Sequence, residues 1–375
     1  FRLANRWGTN HLYFLVTFEG MFKNKKRSIA LSLIPAIVVV KGLAFFPEFV
    51  ETYYSGGLYQ YISKVFRFTL GWLPFSFGDL VYGFGIIFIL RWLVVNRKRI
   101  LNDFKAWLTD VFAAVTVLYL AFHILWGFNY YRQPLHENLN LEAEYTTEAL
   151  ISVTEKLIAK SNAVHLEITK DSTLKVTSPY SRAEIVELVP EGYMLLQEKF
   201  PHLGYSPVSI KSSLFSLLLT YMGFSGYLNP LTNEAQVDYL IPEFKYPTTA
   251  SHEVAHQLGY AAENEANFIG CLVTTNHSDI YFRYAGYTFG LRHCLHEIYR
   301  RNPELYEAMI PTINHGVLEN YREVHEFWEA YQNPLEPVFK ETYNTYLQAN
   351  SQTDGMKSYS YVVALLVNYF KDKPL

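Results

Sequence analysis

The stretch His252-Glu253-Val254-Ala255-His256 is the most informative in this chain of 375 residues. Two histidines four positions apart on a helix lie on the same face, one turn apart, so both imidazoles can reach one zinc ion. The glutamate between them is placed to hold an attacking water and take its proton. This pattern is typical of a zinc hydrolase, most often a peptidase.

The residues on either side of the motif favour a helix. Thr248 and Thr249 can cap a helix start upstream, and Gly259 is the residue type most often found just past a helix end. These signals predict a helix of about three turns that carries both histidines.

A catalytic zinc normally takes three protein ligands and leaves a fourth position for water, so a further ligand is needed. A chain reversal at Gly259, followed by a helix that starts near Glu263, would bring the Glu263 carboxylate back to the metal. Asn267, four residues further on, would share that helix face and orient a ligand histidine. Glu265 would point away and ranks second as a ligand. The alternative for both acids is a solvated first helical turn.

An HExxH motif followed by an acidic helical segment resembles the pattern of gluzincin-type zinc peptidases, including the membrane-embedded CAAX-prenyl-protease type. In those families the first Glu of the later segment binds zinc, and an Asp usually follows it. The resemblance implies that Glu263 is the ligand and that Asn267 stands where those families carry Asp. The spacing differs, because six residues separate the two motifs here and dozens separate them there.

The chain resembles more closely the family numbered 3810 among domains of unknown function, found mainly in Bacteroidota. That resemblance implies three membrane spans followed by an HExxH domain, and it carries no substrate. It runs through residues 126–132, 226–230, 234–235, 252–267 and 343–359.

Only 18% of the residues are charged and 50% are hydrophobic, whereas about a quarter charged is usual for a soluble domain. Three apolar segments of about 20 residues, the length that crosses a bilayer, account for much of the difference. They could be buried core helices, but Trp and Tyr near their ends favour membrane spans. The three segments are residues 28–46, 74–95 and 107–126.

Lysine and arginine cluster before the first apolar segment and between the second and third. By the positive-inside rule both clusters face the cytoplasm, and three spans place everything after Asn129 outside it. We therefore expect a cytoplasmic segment at 1–27, a membrane anchor of three transmembrane helices at 28–128 and an extracytoplasmic domain at 129–375. The expected location is the bacterial inner membrane, with that domain in the periplasm and the lipid bilayer as a partner.

The outer domain is predicted to be a mostly helical, zincin-like α+β domain with a small sheet. Residues 236–238, just before the zinc helix, are expected either to form an edge strand that pairs with the substrate backbone or to be an ordinary strand of the sheet. Cys271 and Cys294 are expected to be buried thiols, with a disulfide as the alternative.

Catalysis also needs a donor for the developing oxyanion. Tyr359 and Arg283 are the favoured candidates because both lie in the part of the chain that resembles the family, which is nearly the whole chain. Tyr284, His293 and His296 are the other candidates.

Together these patterns predict a membrane-anchored zinc metallopeptidase that acts on a peptide or protein. Zn²⁺ is expected on His252, His256 and Glu263, with a zinc-activated water attacking the peptide bond and Glu253 as general base. One alternative is a non-catalytic membrane scaffold or sensor with a structural zinc or none. Another is a zinc hydrolase of a different acyl bond, such as an amide in cell-wall peptide or a lipid ester. The net charge of −3 and the lack of a basic stripe argue against nucleic-acid binding.

Overall fold

The structure, a computed structural model, describes residues 25–350, 361–373 and 375. It is mostly helical, with one small mixed sheet. The main helices are α1 Lys25–Leu31, α2 Leu33–Leu43, α3 Tyr59–Leu70, α4 Phe77–Val95, α5 Arg97–Asn102, α6 Phe104–Leu125, α7 Thr147–Thr169, α8 Arg182–Gln197, α9 Ser216–Met222, α10 Tyr246–Gln257, α11 Glu263–Thr275, α12 Ile280–Arg301, α13 Pro303–Met309, α14 His315–Ala330, α15 Glu336–Ala349 and α16 Val362–Phe370. Shorter helical segments are Pro47–Phe49, Val50–Leu58 (a π-helix), Gly127–Tyr131, Leu135–Asn138, Pro201–Leu203, Glu243–Lys245 and Ile310–Thr312.

Two of these helices, α4 with 19 residues and α6 with 22, are long and apolar enough to cross a membrane. Ser76 and Asp103 cap their starts by accepting hydrogen bonds from Asp79 N and Ala106 N. The first expected span takes a different form. The segment Lys25–Leu43 is followed by Pro47–Leu70 at an angle of 93°, so it counts as a third span only if this bent pair is one unit. The chain thus has the character of a membrane protein.

Helix α3 turns its polar residues inward and its apolar residues outward. Tyr59, Ser63 and Arg67 are buried against the outer domain. Val65 and Phe68 are exposed, the second with 76% of its surface accessible. A large exposed apolar face is unusual for a soluble protein and is normal for a helix that lies along a lipid surface.

Three consecutive helices, α10, α11 and α12, form the centre of the outer domain. Within α10 every residue is buried except His252, and within α11 every residue is buried except Asn264. A helix that is covered on all sides lies in the core of its domain. The layers around this centre include α7, which packs on α12, and α8 and α16, which both contact α11. The motif helix is therefore held rigidly.

The sheet has the strand order β1-β3-β2, with β1 Ile210–Ser212, β2 Gly226–Asn229 and β3 Glu234–Val237. The central strand β3 is parallel to β1 and antiparallel to β2. All four residues of β3 are buried. The expectation of an edge strand at residues 236–238 is therefore wrong, because residues 226–229 pair with the side of β3 that would have been free. The edge strand beside the motif helix is β2.

The β2–β3 hairpin also holds the start of α4. The Glu234 carboxylate accepts hydrogen bonds from the backbone N–H groups of Phe77 at 3.1 Å and Gly78 at 2.5 Å. These are free donors at a helix N-terminus, where a carboxylate is stabilising. Tyr227 donates to the Asp79 carboxylate in the same place. The sheet and the first of the two long apolar helices are thus joined by buried hydrogen bonds.

Candidate functional site

The motif helix α10 starts earlier than its threonines suggest. It begins at Tyr246 with Pro247 in its first turn, a position that suits proline because no hydrogen bond is lost there. The hydroxyls of Thr248 and Thr249 donate back to the Lys245 carbonyl at 2.9 and 3.2 Å. The threonines therefore lie inside the helix and do not cap it.

The expected chain reversal follows at Gly259. Its φ of 96° lies in the left-handed region that favours glycine, and it ends α10 two residues after Gln257. Helix α11 then begins at Glu263, as the sequence indicated. The reversal lays α11 against α10, the most extensive helix pairing in the structure. Glu263 thereby returns to the two histidines.

Three potential ligand atoms meet at this junction. Glu263 Oε2 lies 3.3 Å from His252 Nε2 and 3.7 Å from His256 Nε2. The three atoms all lie within 4.8 Å of one another. Ligand bonds of about 2.0–2.1 Å in a tetrahedral zinc site place neighbouring ligand atoms roughly 3.4 Å apart. The spacing therefore suits a small divalent cation.

Hydrogen bonds with neighbouring residues orient two of these ligand groups. His256 Nδ1 lies 2.7 Å from the Tyr260 carbonyl oxygen, which accepts a hydrogen bond from the Nδ1–H group. Nε2 is then free to face Glu263. Asn267 lies near the His252 ring, but neither His252 Nδ1 nor Asn267 Nδ2 has a hydrogen-bond partner among the described residues. Tyr343 donates its hydroxyl to Glu263 Oε1, so that Oε2 is directed at the histidines.

The electrostatics of the three groups are coupled. Burial disfavours the charged imidazolium, yet the neighbouring Glu263 raises the pKa of His256 to about 9. Burial, followed by the charge of His256, lowers the pKa of His252. Burial alone would raise the pKa of Glu263, but His256 and His252 hold it well below its usual value. The cluster thus favours one positive charge beside an ionised Glu263.

Glu253 lies beside the cluster on the next face of α10. Burial raises the pKa of its carboxyl to about 8, and the charge of His256 opposes this. Its Oε2 is buried and has no hydrogen-bond partner within the described part of the chain. A buried carboxylate oxygen normally has a hydrogen-bond partner, so Oε2 is free to accept one from a water molecule. The Gly226 end of β2 passes so close that a Cβ there would lie 2.6 Å from Glu253 Oε1.

Glu265 points away from the cluster, as its position on the helix implied. Its Oε1 accepts a hydrogen bond from the backbone of Leu135 at 2.6 Å.

The structure separates the oxyanion candidates from one another. Arg283 Nη1 donates to the carbonyls of His277 and Ser278, in the loop before α12. His293, whose pKa responds to the charge of His252, lies ten residues further along α12, about 15 Å along the axis. Arg283 therefore lies at the start of α12, whereas His293 lies beyond the middle of that helix.

Tyr284, another candidate, has its described hydrogen bond away from the three ligand groups. Tyr284 is buried and donates to Asn320 at 2.7 Å. Tyr359 lies outside the described residues. Cys271 and Cys294 are both buried and are free thiols in the structure.

Sequence reasoning assigned no role to several residues that support the site. The Trp126 indole donates to the His256 carbonyl at 3.0 Å, and Arg132 donates to the Gly259 carbonyl at 2.8 Å. Both belong to the stretch 126–132, and Tyr343 belongs to another stretch noted for its family resemblance. The resemblance was thus the one signal that pointed to these residues.

The chain was compared with known proteins. No curated protein and no solved structure matches it. Residues 54–367 match a family model described as "Protein of unknown function (DUF3810)". This match covers the long apolar helices α4 and α6, the sheet, the motif helix and Glu263, the acidic ligand candidate. The chain therefore belongs to the DUF3810 family.

Proposed function

We propose that this protein is a membrane-anchored, zinc-dependent metallopeptidase. The observation that carries the proposal is the convergence of His252, His256 and Glu263, with the unpartnered carboxylate oxygen of Glu253 beside them. Two imidazoles and a carboxylate are a ligand set of catalytic zinc sites, and a free carboxylate next to them is what a hydrolase needs as a base.

The number of ligands favours a catalytic site over a structural one. Structural zinc sites close all four positions with protein side chains, usually Cys or His. Within the described residues the cluster contains three metal-binding side chains, and both cysteines lie elsewhere in the core. A zinc ion at these three atoms would act as a Lewis acid and make a water a better nucleophile at neutral pH.

The chain's own residues would supply the remaining chemistry. Glu253 would hold the attacking water at Oε2, take its proton and pass it to the leaving nitrogen. The strand β2 lies at the edge of the sheet beside Glu253 and could pair with an extended substrate backbone. Tyr343 would keep Glu263 oriented towards the metal.

The charges at the ends of the apolar helices support the proposed membrane orientation. Asp110, near the start of α6, pairs with Lys26 at 3.1 Å and Arg99 at 2.7 Å. The two basic clusters that the positive-inside rule assigns to the cytoplasm therefore meet at one end of the anchor. Trp126 marks the other end of α6 and contacts the candidate site. We propose three spans, with the bent pair as the first, and the outer domain in the periplasm.

The proposal is tested by zinc content and hydrolysis in detergent-purified protein. The parent should hold about one zinc per chain, Glu263→Ala should lose it, and Glu253→Gln should retain it. Peptides, cell-wall peptide fragments and esters are then offered to the parent and to Glu253→Gln. Hydrolysis of a peptide by the parent alone would support the proposal. A parent that stays folded without binding zinc, or a Glu253→Gln protein as active as the parent, would refute it.

A further inference from the structure

A cleft beside the candidate site is lined by two basic side chains. It lies between the start of α10 and helices α12 and α14. Its polar lining comprises Lys245, Thr248, Thr288, Arg292 and Tyr321. Phe244, Ala285 and Phe289 add apolar walls. The cleft therefore combines a surface for a side chain with groups that attract an anion.

Lys245 connects this cleft to the reacting groups. It immediately precedes α10, and its Nζ donates to Ser225 Oγ at 2.7 Å. Ser225 adjoins Gly226, the residue of β2 that touches the Glu253 carboxylate. The charges of Lys245 and Glu253 also influence each other's pKa. A substrate group bound at Lys245 would thus be one or two residues along the peptide from the bond that Glu253 acts on.

Helix geometry places the cleft on the same side as the metal ligands. Thr248 stands four residues before His252 on α10, so the two share a helix face one turn apart. On α12, His293 directly follows Arg292, and its pKa is lowered to about 3 by burial and then by charges that include Lys245 and His252. The cleft and the histidine cluster are therefore adjacent.

Neither cation is neutralised by an ion pair within the described residues. The side chain of Arg292 is exposed and forms no salt bridge there. Lys245 is half-buried, with its Nζ 5.4 Å from the Trp328 ring, and its acidic neighbour Asp238 already accepts hydrogen bonds from Thr220 and Leu240. Burial, and then the charge of Arg292, lowers the pKa of Lys245 to about 7. A neighbouring like charge disfavours the charged form of Lys245, and an anion bound between the two side chains would offset that effect.

We propose that Lys245 and Arg292 form a subsite for a carboxylate of the substrate. This inference rests on the proposed peptidase function and specifies its substrate class. A guanidinium binds a carboxylate through two parallel hydrogen bonds, and the ammonium adds a point charge. The carboxylate is either the free C-terminus of a peptide or an acidic side chain, one or two residues from the scissile bond. The apolar walls of the cleft hold the carbon chain that bears it.

The first experiment measures binding, which needs no turnover. Calorimetry compares N-acetylglycine with N-acetylglycinamide on the zinc-loaded full chain in detergent, in the parent and in Lys245→Met and Arg292→Gln. The carboxylate should bind the parent at least tenfold more tightly than the amide, and each variant should lose roughly tenfold of that affinity. Zinc content is measured in every sample, so that affinities are compared only between proteins that hold the same amount of zinc. Equal binding of acid and amide by the parent, or unchanged affinity in both variants, would overturn the subsite.

The matched controls are Lys175→Met and Arg300→Gln, two exposed cations that pair with Glu323 and Glu297 away from the cleft. Both controls should bind the acid as the parent does. Loss of binding in these controls equal to that in the cleft variants would also overturn the proposal, because the effect would then be one of net charge.

The second experiment separates the two sources of the carboxylate. One peptide is prepared with a free C-terminus, with an amidated C-terminus, and amidated with an internal glutamate. A lower KM for the first form would support a terminal carboxylate, and a lower KM for the third form would support a side-chain carboxylate. In either case the cleft variants should lose this preference in KM while kcat stays nearly unchanged. Cleavage of all three forms with equal KM would refute the subsite and leave the peptidase proposal standing. Binding of the acid without cleavage of any peptide or ester would refute the peptidase proposal instead.

Discussion

Trp126, the residue directly after helix α6, donates its indole N–H to the backbone carbonyl of His256 at 3.0 Å. The same indole meets the imidazole of His256 edge to face, with ring centroids 6.3 Å apart. One of the two histidines of the motif is thus fixed by the end of an apolar helix that is long enough to cross a membrane. The candidate site thus lies next to the C-terminal end of α6.

A substitution at Trp126 tests the importance of this contact. Trp126→Phe keeps most of the ring packing but removes one of two donors to the His256 carbonyl, which still accepts from the Gly259 N–H at 3.0 Å. We expect a loss of about 1 kcal/mol in the free energy of unfolding, because one buried hydrogen bond is lost, together with weaker zinc binding. Thermal unfolding and zinc titration check this. Trp72→Phe is the control, since Trp72 is 75% exposed and its indole bonds only within its own turn, to Thr69. Equal effects of the two substitutions would contradict the prediction.

A partly buried ion pair supports the turn that returns Glu263 to the histidines. Arg132 binds both carboxylate oxygens of Glu51, at 2.7 and 2.8 Å, and also donates to the Gly259 carbonyl. The Arg132 side chain is 9% exposed and that of Glu51 is 21% exposed. Arg132→Met should therefore destabilise the protein by about 2–3 kcal/mol, less than for a fully buried pair, because water can still reach the unpaired Glu51.

The double variant Arg132→Met/Glu51→Leu distinguishes the lost pair from lost packing. It removes both charges, so it should recover a large part of the stability lost in Arg132→Met. Denaturant unfolding of the parent, both single variants and the double variant gives the coupling energy. A double variant that is less stable than Arg132→Met by the full cost of Glu51→Leu would show that the two residues are independent.

The parts of the site that could be predicted from sequence are local. The histidine spacing fixes a shared helix face, a glycine ends the helix, and the first turn of the next helix carries the acid. These rules act over a few residues, and Glu263 lies where they place it.

The remaining parts depend on contacts between distant segments. Tyr343 reaches Glu263 from 80 positions further along the chain, and no periodicity encodes such a contact. The position of β3 at the centre of the sheet required knowledge that Gly226–Asn229, four residues long, also forms a strand. Arg283 was favoured by sequence resemblance, which gives no position along the 22-residue helix α12.

Tyr343 offers a test of this long-range support. Tyr343→Phe removes the hydroxyl that binds Glu263 Oε1 and leaves the ring in place. Partners of metal ligands typically contribute 10–100-fold to metal affinity, so zinc should bind about tenfold or more weakly while the fold persists. Competition with a chromophoric chelator measures the affinity. Tyr299→Phe, at a position 52% exposed, is the control and should bind zinc as the parent does. Parent-like affinity in Tyr343→Phe would remove this tyrosine from the site.

Gly226 provides the sharpest separation of catalysis from metal binding. A Cβ at this position would lie 2.6 Å from Glu253 Oε1 and 2.6 Å from the Gln236 carbonyl, so either the carboxylate or the strand must move. Gly226→Ala should therefore displace the proposed general base and lower kcat by about a hundredfold, which is within the usual contribution of such a base. Zinc content should stay near that of the parent, because the three atoms nearest to the added carbon belong to Gln236 and Glu253 and to none of the ligands. Gly42→Ala, where nothing lies within 4 Å of the added carbon, is the control for a Gly-to-Ala change as such. If Gly226→Ala hydrolyses peptides as fast as the parent, then Glu253 does not need its present position, and the general-base assignment fails with it.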